Sequence, residues 1–113
     1  MHEQSIVGYL LSMAIEDAKK DNAKRIISIK LVVGELTGVE KDAVEFYFGF
    51  MAKGTIAEGA SLEFSFIKPQ LRCRDCDIIF PRDNLGFNCP QCKKKAIELV
   101  GGRELYIDSM EII

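Results

Sequence analysis

Residues 73–92 read CRDCDIIFPRDNLGFNCPQC and decide how the second half of this chain folds. The segment holds all four cysteines of the 113-residue sequence, as two C-x2-C pairs separated by twelve residues. Two such pairs at a short spacing are a strong signal for one tetrahedral metal site with four thiolate ligands. We therefore assign the ligands to Cys73, Cys76, Cys89 and Cys92.

Zinc is the favoured metal for these cysteines, and we expect its role to be structural. Four thiolates close the coordination shell and leave no open position for catalysis. The segment from Pro69 to Arg103 has about 35 residues, and chains this short usually need a metal or disulfides to fold. Iron in a rubredoxin-like site and redox disulfides stay open as alternatives. The iron alternative is weakened because Asp77 and Lys93, not glycines, follow the two pairs.

The spacer between the cysteine pairs predicts a β-hairpin. Ile78–Phe80 reads as one strand, residues 82–84 as the turn, and Phe87 as part of the returning strand. Pro90 restricts φ within the second cysteine turn.

Composition is that of a globular protein, with 48% hydrophobic and 28% charged residues and a net charge of −2. This charge gives no general attraction to nucleic acid or to an anionic membrane. No apolar run approaches the roughly 20 residues that span a bilayer, and the start of the chain lacks the basic and apolar regions of a secretory signal. We expect a cytoplasmic location, where thiols stay reduced.

Nucleic-acid binding is a common property of zinc ribbons, so the local charge of the insert matters. Between Lys68 and Glu104 there are eight basic and five acidic residues. Zinc with four thiolates adds net negative charge, which leaves a balance of about +1 and only weak attraction to phosphates. We expect no nucleic-acid partner, and interpret Lys93–Lys95 as a solvated turn.

Patterns on both sides of the cysteine segment predict an α/β fold: two helices on a three-stranded sheet, with an inserted zinc-ribbon-like domain that holds zinc by four cysteines. Helices are predicted over 4–20 and 41–53, and Gly34–Gly38 is predicted as a loop. Strands are predicted over 25–33, 61–67 and 105–113. The inward side chains should be Ile6, Leu10 and Met13 of the first helix, Val44, Tyr47, Phe48 and Met51 of the second, Ile27, Ile29, Leu31 and Val33 of the first strand, and Leu62, Phe64 and Phe66 of the second.

The predicted domain division is 1–68 for the α/β domain, 69–104 for the inserted domain and 105–113 for the last strand of the first domain. Two chain crossings therefore join the domains. Asp108 and Glu111 leave the inward face of the last strand ambiguous.

The only histidine of the chain is residue 2, beside Met1 and Glu3. A terminal amine, an imidazole and the first backbone amides can together bind Ni(II) or Cu(II) in a square-planar arrangement. Glu3 could instead give its carboxylate to a six-coordinate site. An ordinary solvated terminus is the commoner meaning of a histidine here, and the residues alone do not choose.

Five motifs stand in a characteristic order along the chain. They are Met1-His2-Glu3, Gly34-Glu35-Leu36-Thr37-Gly38-Val39, Ala57-Glu58-Gly59-Ala60, the four cysteines and Gly102-Arg103-Glu104-Leu105. Together they resemble the HypA-type nickel metallochaperones of [NiFe]-hydrogenase maturation, over essentially the full length. The resemblance implies a nickel domain around Met1, His2 and Glu3, and a zinc domain using the four cysteines.

The resemblance further implies transient Ni(II) binding, a HypB-type GTPase partner and delivery of nickel to the hydrogenase large subunit. No catalytic constellation is visible, since the lone histidine has no evident nucleophile and residues 34–38 lack the lysine and hydroxyl of a P-loop. A zinc-ribbon adaptor that binds protein or nucleic acid is the main alternative, and a rubredoxin-like electron carrier is a third. Oligomeric state is left open, with a weak homodimer as one alternative.

Overall fold

The computed structural model describes residues 3–81, 88–95 and 97–113. In this part of the chain two α-helices, one short 3-10 helix and six strands follow one another. The elements in chain order are α1 (Glu3–Lys20), β1 (Ile26–Gly34), the 3-10 helix (Glu35–Thr37), α2 (Lys41–Met51), β2 (Ser61–Ile67), β3 (Gln70–Cys73), β4 (Ile79–Pro81), β5 (Ile97–Gly101) and β6 (Leu105–Ile112).

The strands form two separate three-stranded sheets. The first has the order β2-β1-β6, with β2 parallel and β6 antiparallel to the central strand β1. Parallel neighbours need a crossover connection, and α2 lies within the one between β1 and β2. The second sheet, of order β4-β3-β5, is antiparallel and falls in sequence between β2 and β6. The predicted fold class is therefore confirmed, including the insertion.

Both helices pack on the first sheet and form one apolar core with it. Val7 of α1, Val44 of α2 and Val33 of β1 are each at most 3% exposed. Burial of an aliphatic side chain of this size contributes about 1.5–3 kcal/mol. No polar or charged side chain is buried among the residues described. The stripe predicted for α2 is confirmed, with Tyr47 and Met51 packed at its margin, whereas Met13 of α1 is 36% exposed and was wrongly placed in the core.

Two irregularities in strand pairing explain where the predicted alternation fails. The register of β1 against β6 shifts between Ile26 and Ser28, so Ile26 is 1% exposed while Ile27, predicted inward, is 40% exposed. A second shift makes Asp108 the extra residue of β6, because Lys30 faces Ser109 and the next residue faces Ile107. A bulge of this kind moves all later side chains to the opposite face.

The second bulge resolves the ambiguity of the last strand. Leu105 and Ile107 precede the bulge and Met110 and Ile112 follow it, and all four pack against the core. Strict alternation would have placed one of these pairs in solvent.

Three further predictions were wrong in detail. The segment predicted as a loop contains the 3-10 helix Glu35–Thr37, and its glycine Gly38 takes a left-handed conformation at the C-terminal end. Helix α2 ends at Met51, two residues earlier than predicted. Phe66 is 41% exposed because it lies near the end of β2, where it stacks on Phe64 with ring centroids 5.8 Å apart.

The two sheets are joined by the segments 68–69 and 102–104. The 3-10 helix contacts the second segment, since Leu36 N–H donates to Gly102 O (2.8 Å) and Gly34 N–H donates to Glu104 O (2.6 Å). Gly102 N–H in turn donates to the side chain of Glu104 (2.8 Å). The return to the first sheet is thus held by backbone hydrogen bonds.

Candidate metal centre

Each cysteine pair lies on a tight turn closed by backbone hydrogen bonds. In the first turn Cys73 N–H donates to Ile78 O (3.0 Å) and Asp77 N–H donates to Cys73 O (2.8 Å). Such a turn holds both cysteines of a pair on one side of the chain.

The second turn repeats this arrangement. Cys89 N–H donates to Lys94 O (3.0 Å), and Lys93 N–H donates to Cys89 O (3.0 Å). The amide of Cys92 also points at the sulfur of Cys89, at 3.4 Å. Two chain segments 16 residues apart therefore present their cysteines through the same local geometry.

Asp77 and Lys93 adopt left-handed backbone conformations, with φ of 62° and 64°. These are the positions where the sequence argument required glycine for an iron site. Because both residues take up the conformation that glycine would supply, the missing glycines do not argue against iron. That part of the sequence reasoning was wrong.

The four sulfurs converge on one point. Cys73 Sγ lies 3.5 Å from Cys92 Sγ and Cys76 Sγ lies 3.4 Å from Cys89 Sγ, and all four lie within 4.8 Å of one another. Metal–sulfur bonds of about 2.3 Å in a tetrahedron place the sulfurs about 3.8 Å apart. The donor set therefore fits a single tetrahedral ion, and all four cysteines are free of disulfides.

Cys76 and Cys89, whose sulfurs lie 3.4 Å apart, have pKa values shifted in opposite directions. Burial and a hydrogen bond with Cys89 raise the pKa of Cys76 to about 12. Burial alone would also raise the pKa of Cys89, but the amides of Cys92 and Gln91 donate to its sulfur and lower its pKa to about 6. Cys89 is therefore the readiest of this pair to act as a thiolate ligand.

Charged side chains surround the cysteine turns in an arrangement that the sequence analysis missed. Glu98 of β5 lies directly opposite Arg72 of β3 in the sheet, and the two form an ion pair. The residues stand 26 positions apart, so only the register of the two strands brings them together. An antiparallel alignment of residues 70–73 with residues 97–101 would have predicted this ion pair from the sequence.

Of the proposed nickel ligands, the structure describes only Glu3, which lies in α1. Met1 and His2 lie outside the described residues, as do the predicted hairpin turn at 82–84 and Phe87. The structure thus brings the four cysteines together and leaves the terminal site a prediction. Within the described residues no helix is long and apolar enough to cross a membrane.

Comparison with known protein families gives a match over residues 1–112. The matching family model is described as "Hydrogenase/urease nickel incorporation, metallochaperone, hypA". Among similar proteins, the hydrogenase maturation factor HypA of Caldanaerobacter subterraneus subsp. tengcongensis is 39% identical over 113 residues, which is 99% of each chain. The hydrogenase maturation factor HypA of Dehalococcoides mccartyi strain 195 is 38% identical over 99% of this chain and 94% of its own.

Two solved structures share the fold over the whole chain. The solution structure of the Ni metallochaperone HypA from Helicobacter pylori is 27% identical, with a TM-score of 0.70 over 100% of this chain and 98% of the other. A second solution structure, of HypA protein, is 28% identical, with a TM-score of 0.78 over 100% and 97% of the two chains.

Proposed function

The chain belongs to the HypA family of nickel-incorporation metallochaperones, and from this membership we propose that it binds Ni(II) transiently at its N-terminus and delivers it to the [NiFe]-hydrogenase large subunit. The observation that carries the proposal is the family match, which begins at residue 1 and runs to residue 112. The match thus includes Met1, His2 and Glu3 as well as the four cysteines.

The proposed nickel ligands belong to the N-terminal end of α1, which is described from Glu3 onward. The first amides of a helix have no acceptors within the helix, so backbone amides at this end are proposed as ligands beside the Met1 amine and the His2 ring. Ni(II) favours such nitrogen donors. The positive end of the helix dipole disfavours a cation, which suits a site that must release its metal.

The cysteine centre is proposed to hold structural Zn(II). Its four converging sulfurs leave no position open to a substrate, and a closed tetrahedral set of four thiolates is a typical structural zinc site. We propose that residues 69–104 act as the zinc domain, and residues 1–68 with 105–113 as the nickel domain.

The proposed partners follow from the same family membership. A maturation factor that carries nickel has to meet both a source of the metal and the enzyme that receives it. We propose a HypB-type GTPase as the first partner and the hydrogenase large subunit as the second. The protein is proposed to act in the cytoplasm and to catalyse no reaction itself.

Nickel titration of three forms of the protein tests the proposal. The forms are the untagged chain, His2→Ala, and a chain extended by a few residues ahead of Met1. Only the first keeps both the free amine and the imidazole, so only it should bind nickel tightly. Its affinity should fall between about pH 7 and 6, where an unperturbed imidazole takes up a proton.

Zinc content should be equal in all three forms and serves as the control for folding. Equal nickel binding by all three, or a flat nickel affinity from about pH 8 to 5.5, would refute the assignment to His2. An adaptor role would then be favoured if the protein bound RNA or DNA in a salt-sensitive way.

A further inference from the structure

Glu98 joins two arginines that flank the first metal-binding cysteine. Its Oε1 accepts from Arg72 Nη2, and its Oε2 lies 3.5 Å from Arg74 Nε. Arg72 immediately precedes Cys73 and Arg74 immediately follows it. One carboxylate of β5 therefore anchors the chain on both sides of a cysteine ligand.

Arg72 also connects the two ends of the first cysteine turn. Its Nε lies 3.7 Å from Oδ1 of Asp77, the residue that follows Cys76. This Nε is buried and, among the described residues, has no hydrogen-bond partner. The side-chain hydrogen bond of Arg72 is therefore the one that its Nη2 donates to Glu98, and the position of the guanidinium depends on that carboxylate.

A second ion pair bridges the two cysteine turns but is more exposed. Lys94 Nζ lies 3.6 Å from Asp75 Oδ2, with side chains 66% and 46% exposed. Glu98 is only 27% exposed. The partners of Glu98, Arg72 and Arg74, are 43% and 65% exposed. Exposed pairs contribute little because water and salt screen them, so the contact with Arg74 alone is weak, whereas the charge-assisted hydrogen bond from Arg72 is stronger. Glu98 is the least exposed carboxylate among the ion pairs of the cysteine turns.

The charge of the metal centre gives these arginines a role beyond packing. A divalent ion with four thiolates carries net negative charge, and hydrogen bonds and charges around a metal site tune how strongly its ligands hold the ion. Arg72 and Arg74 bring two positive charges to the turn that contains Cys73 and Cys76, and Glu98 fixes where those charges stand.

We propose that Glu98 is a positioning residue of the metal centre: through Arg72 and Arg74 it orients the first cysteine turn and sets how slowly the centre releases its metal. Glu98 binds no metal itself. The proposal rests on the assignment of zinc to the four cysteines, and it is independent of nickel binding at the terminus.

Zinc release from the loaded protein to a chromogenic chelator tests this role. Loss of a residue that supports metal ligands typically weakens metal binding about 10- to 100-fold. Glu98→Gln and Arg74→Gln should both release zinc faster by a factor in this range. The matched control is Glu63→Gln, which removes an equally charged carboxylate, paired with Lys30, from the other sheet.

Four readouts keep the outcomes distinct. The absorption bands of the cobalt-substituted protein should keep the form of a tetrahedral thiolate site in Glu98→Gln but shift slightly, because the ligands remain and their orientation changes. Parent-like zinc release by both Glu98→Gln and Arg74→Gln would overturn the proposal. Should Glu98→Gln fail to fold by circular dichroism, Arg74→Gln alone decides. A parent protein without zinc would instead refute the metal assignment.

Discussion

Gly34 and Gly102 meet backbone against backbone where the two sheets join. A Cβ atom built on Gly34 would overlap the carbonyl group of Gly102, and one built on Gly102 would come within 2.9 Å of Pro69 Cα. Gly102 also has a φ of 112°, which side chains rarely allow. Gly34, Gly102 and Pro69 can therefore approach this closely only because positions 34 and 102 carry no side chain.

Gly34→Ala should destabilise the protein by about 1–3 kcal/mol or more, since an added methyl group must displace backbone. Gly49→Ala is the matched control, because a Cβ on this glycine of α2 meets nothing within 4 Å. It should stabilise the helix by about 0.5–1 kcal/mol. Urea unfolding measures both, and equal effects of the two substitutions would contradict the close contact.

Truncation of the two neighbouring isoleucines of β1 should destabilise the protein to very different extents. Ile26→Ala removes a side chain that is 1% exposed and should cost about 2–5 kcal/mol in free energy of unfolding. Ile27→Ala alters a side chain that is 40% exposed and should cost well under half as much, as surface changes usually do. If Ile27→Ala proves the more damaging, the bulge at this position is misplaced.

Glycine at the ends of the cysteine turns should stabilise the metal-binding unit. Lys93 stands in the left-handed region, which costs a residue with a side chain about 1–2 kcal/mol. Lys93→Gly should therefore raise the thermal midpoint of the zinc-loaded protein. Lys95→Gly is the control, since Lys95 has no positive φ.

Asp77→Gly should give a smaller gain than Lys93→Gly. Aspartate tolerates the left-handed conformation better than lysine does, and the change also removes the carboxylate that lies 3.7 Å from Arg72. A larger gain for Asp77→Gly would indicate that Arg72 does not need this partner.

Zinc affinity should depend on pH more steeply below about pH 6. Zinc binds thiolates, so protons compete with it. The pKa of Cys76 is raised to about 12, so zinc displaces its proton over the whole range from weakly acidic to neutral pH. The pKa of Cys89 is lowered to about 6, so that cysteine carries a proton, which zinc must also displace, only below this pH.

Competition with a chelator of known affinity measures this dependence. The slope of log affinity against pH should steepen by one proton as the pH falls through about 6, because the pKa of Cys89 is lowered to about 6. A constant slope from about pH 8 to 5 would show that Cys89 has no lowered pKa in the metal-free state.

The sequence was sufficient for the order of the two helices and three strands of the first domain, because local patterns report burial directly, but strands β3 and β5 of the second sheet were not predicted. The strand Ser61–Ile67 was predicted with its observed bounds, and α1 was predicted within one residue. The cysteine spacing alone indicated one shared site, which the converging sulfurs bear out. The identity of its metal was not determined by that spacing, and the glycine argument used against iron failed at Asp77 and Lys93.

The sequence by itself determined the α/β class, the insertion and the four clustered cysteines, since each follows from periodicity or spacing within a short window. Only the tertiary structure decided which of two adjacent side chains faces the core at a bulge. At the first bulge Ile26 faces the core and Ile27 is exposed. The tertiary structure also decided that Glu98 meets Arg72 and that Gly34 meets Gly102. Register and close backbone contact depend on residues far apart in the chain, and no local pattern records them.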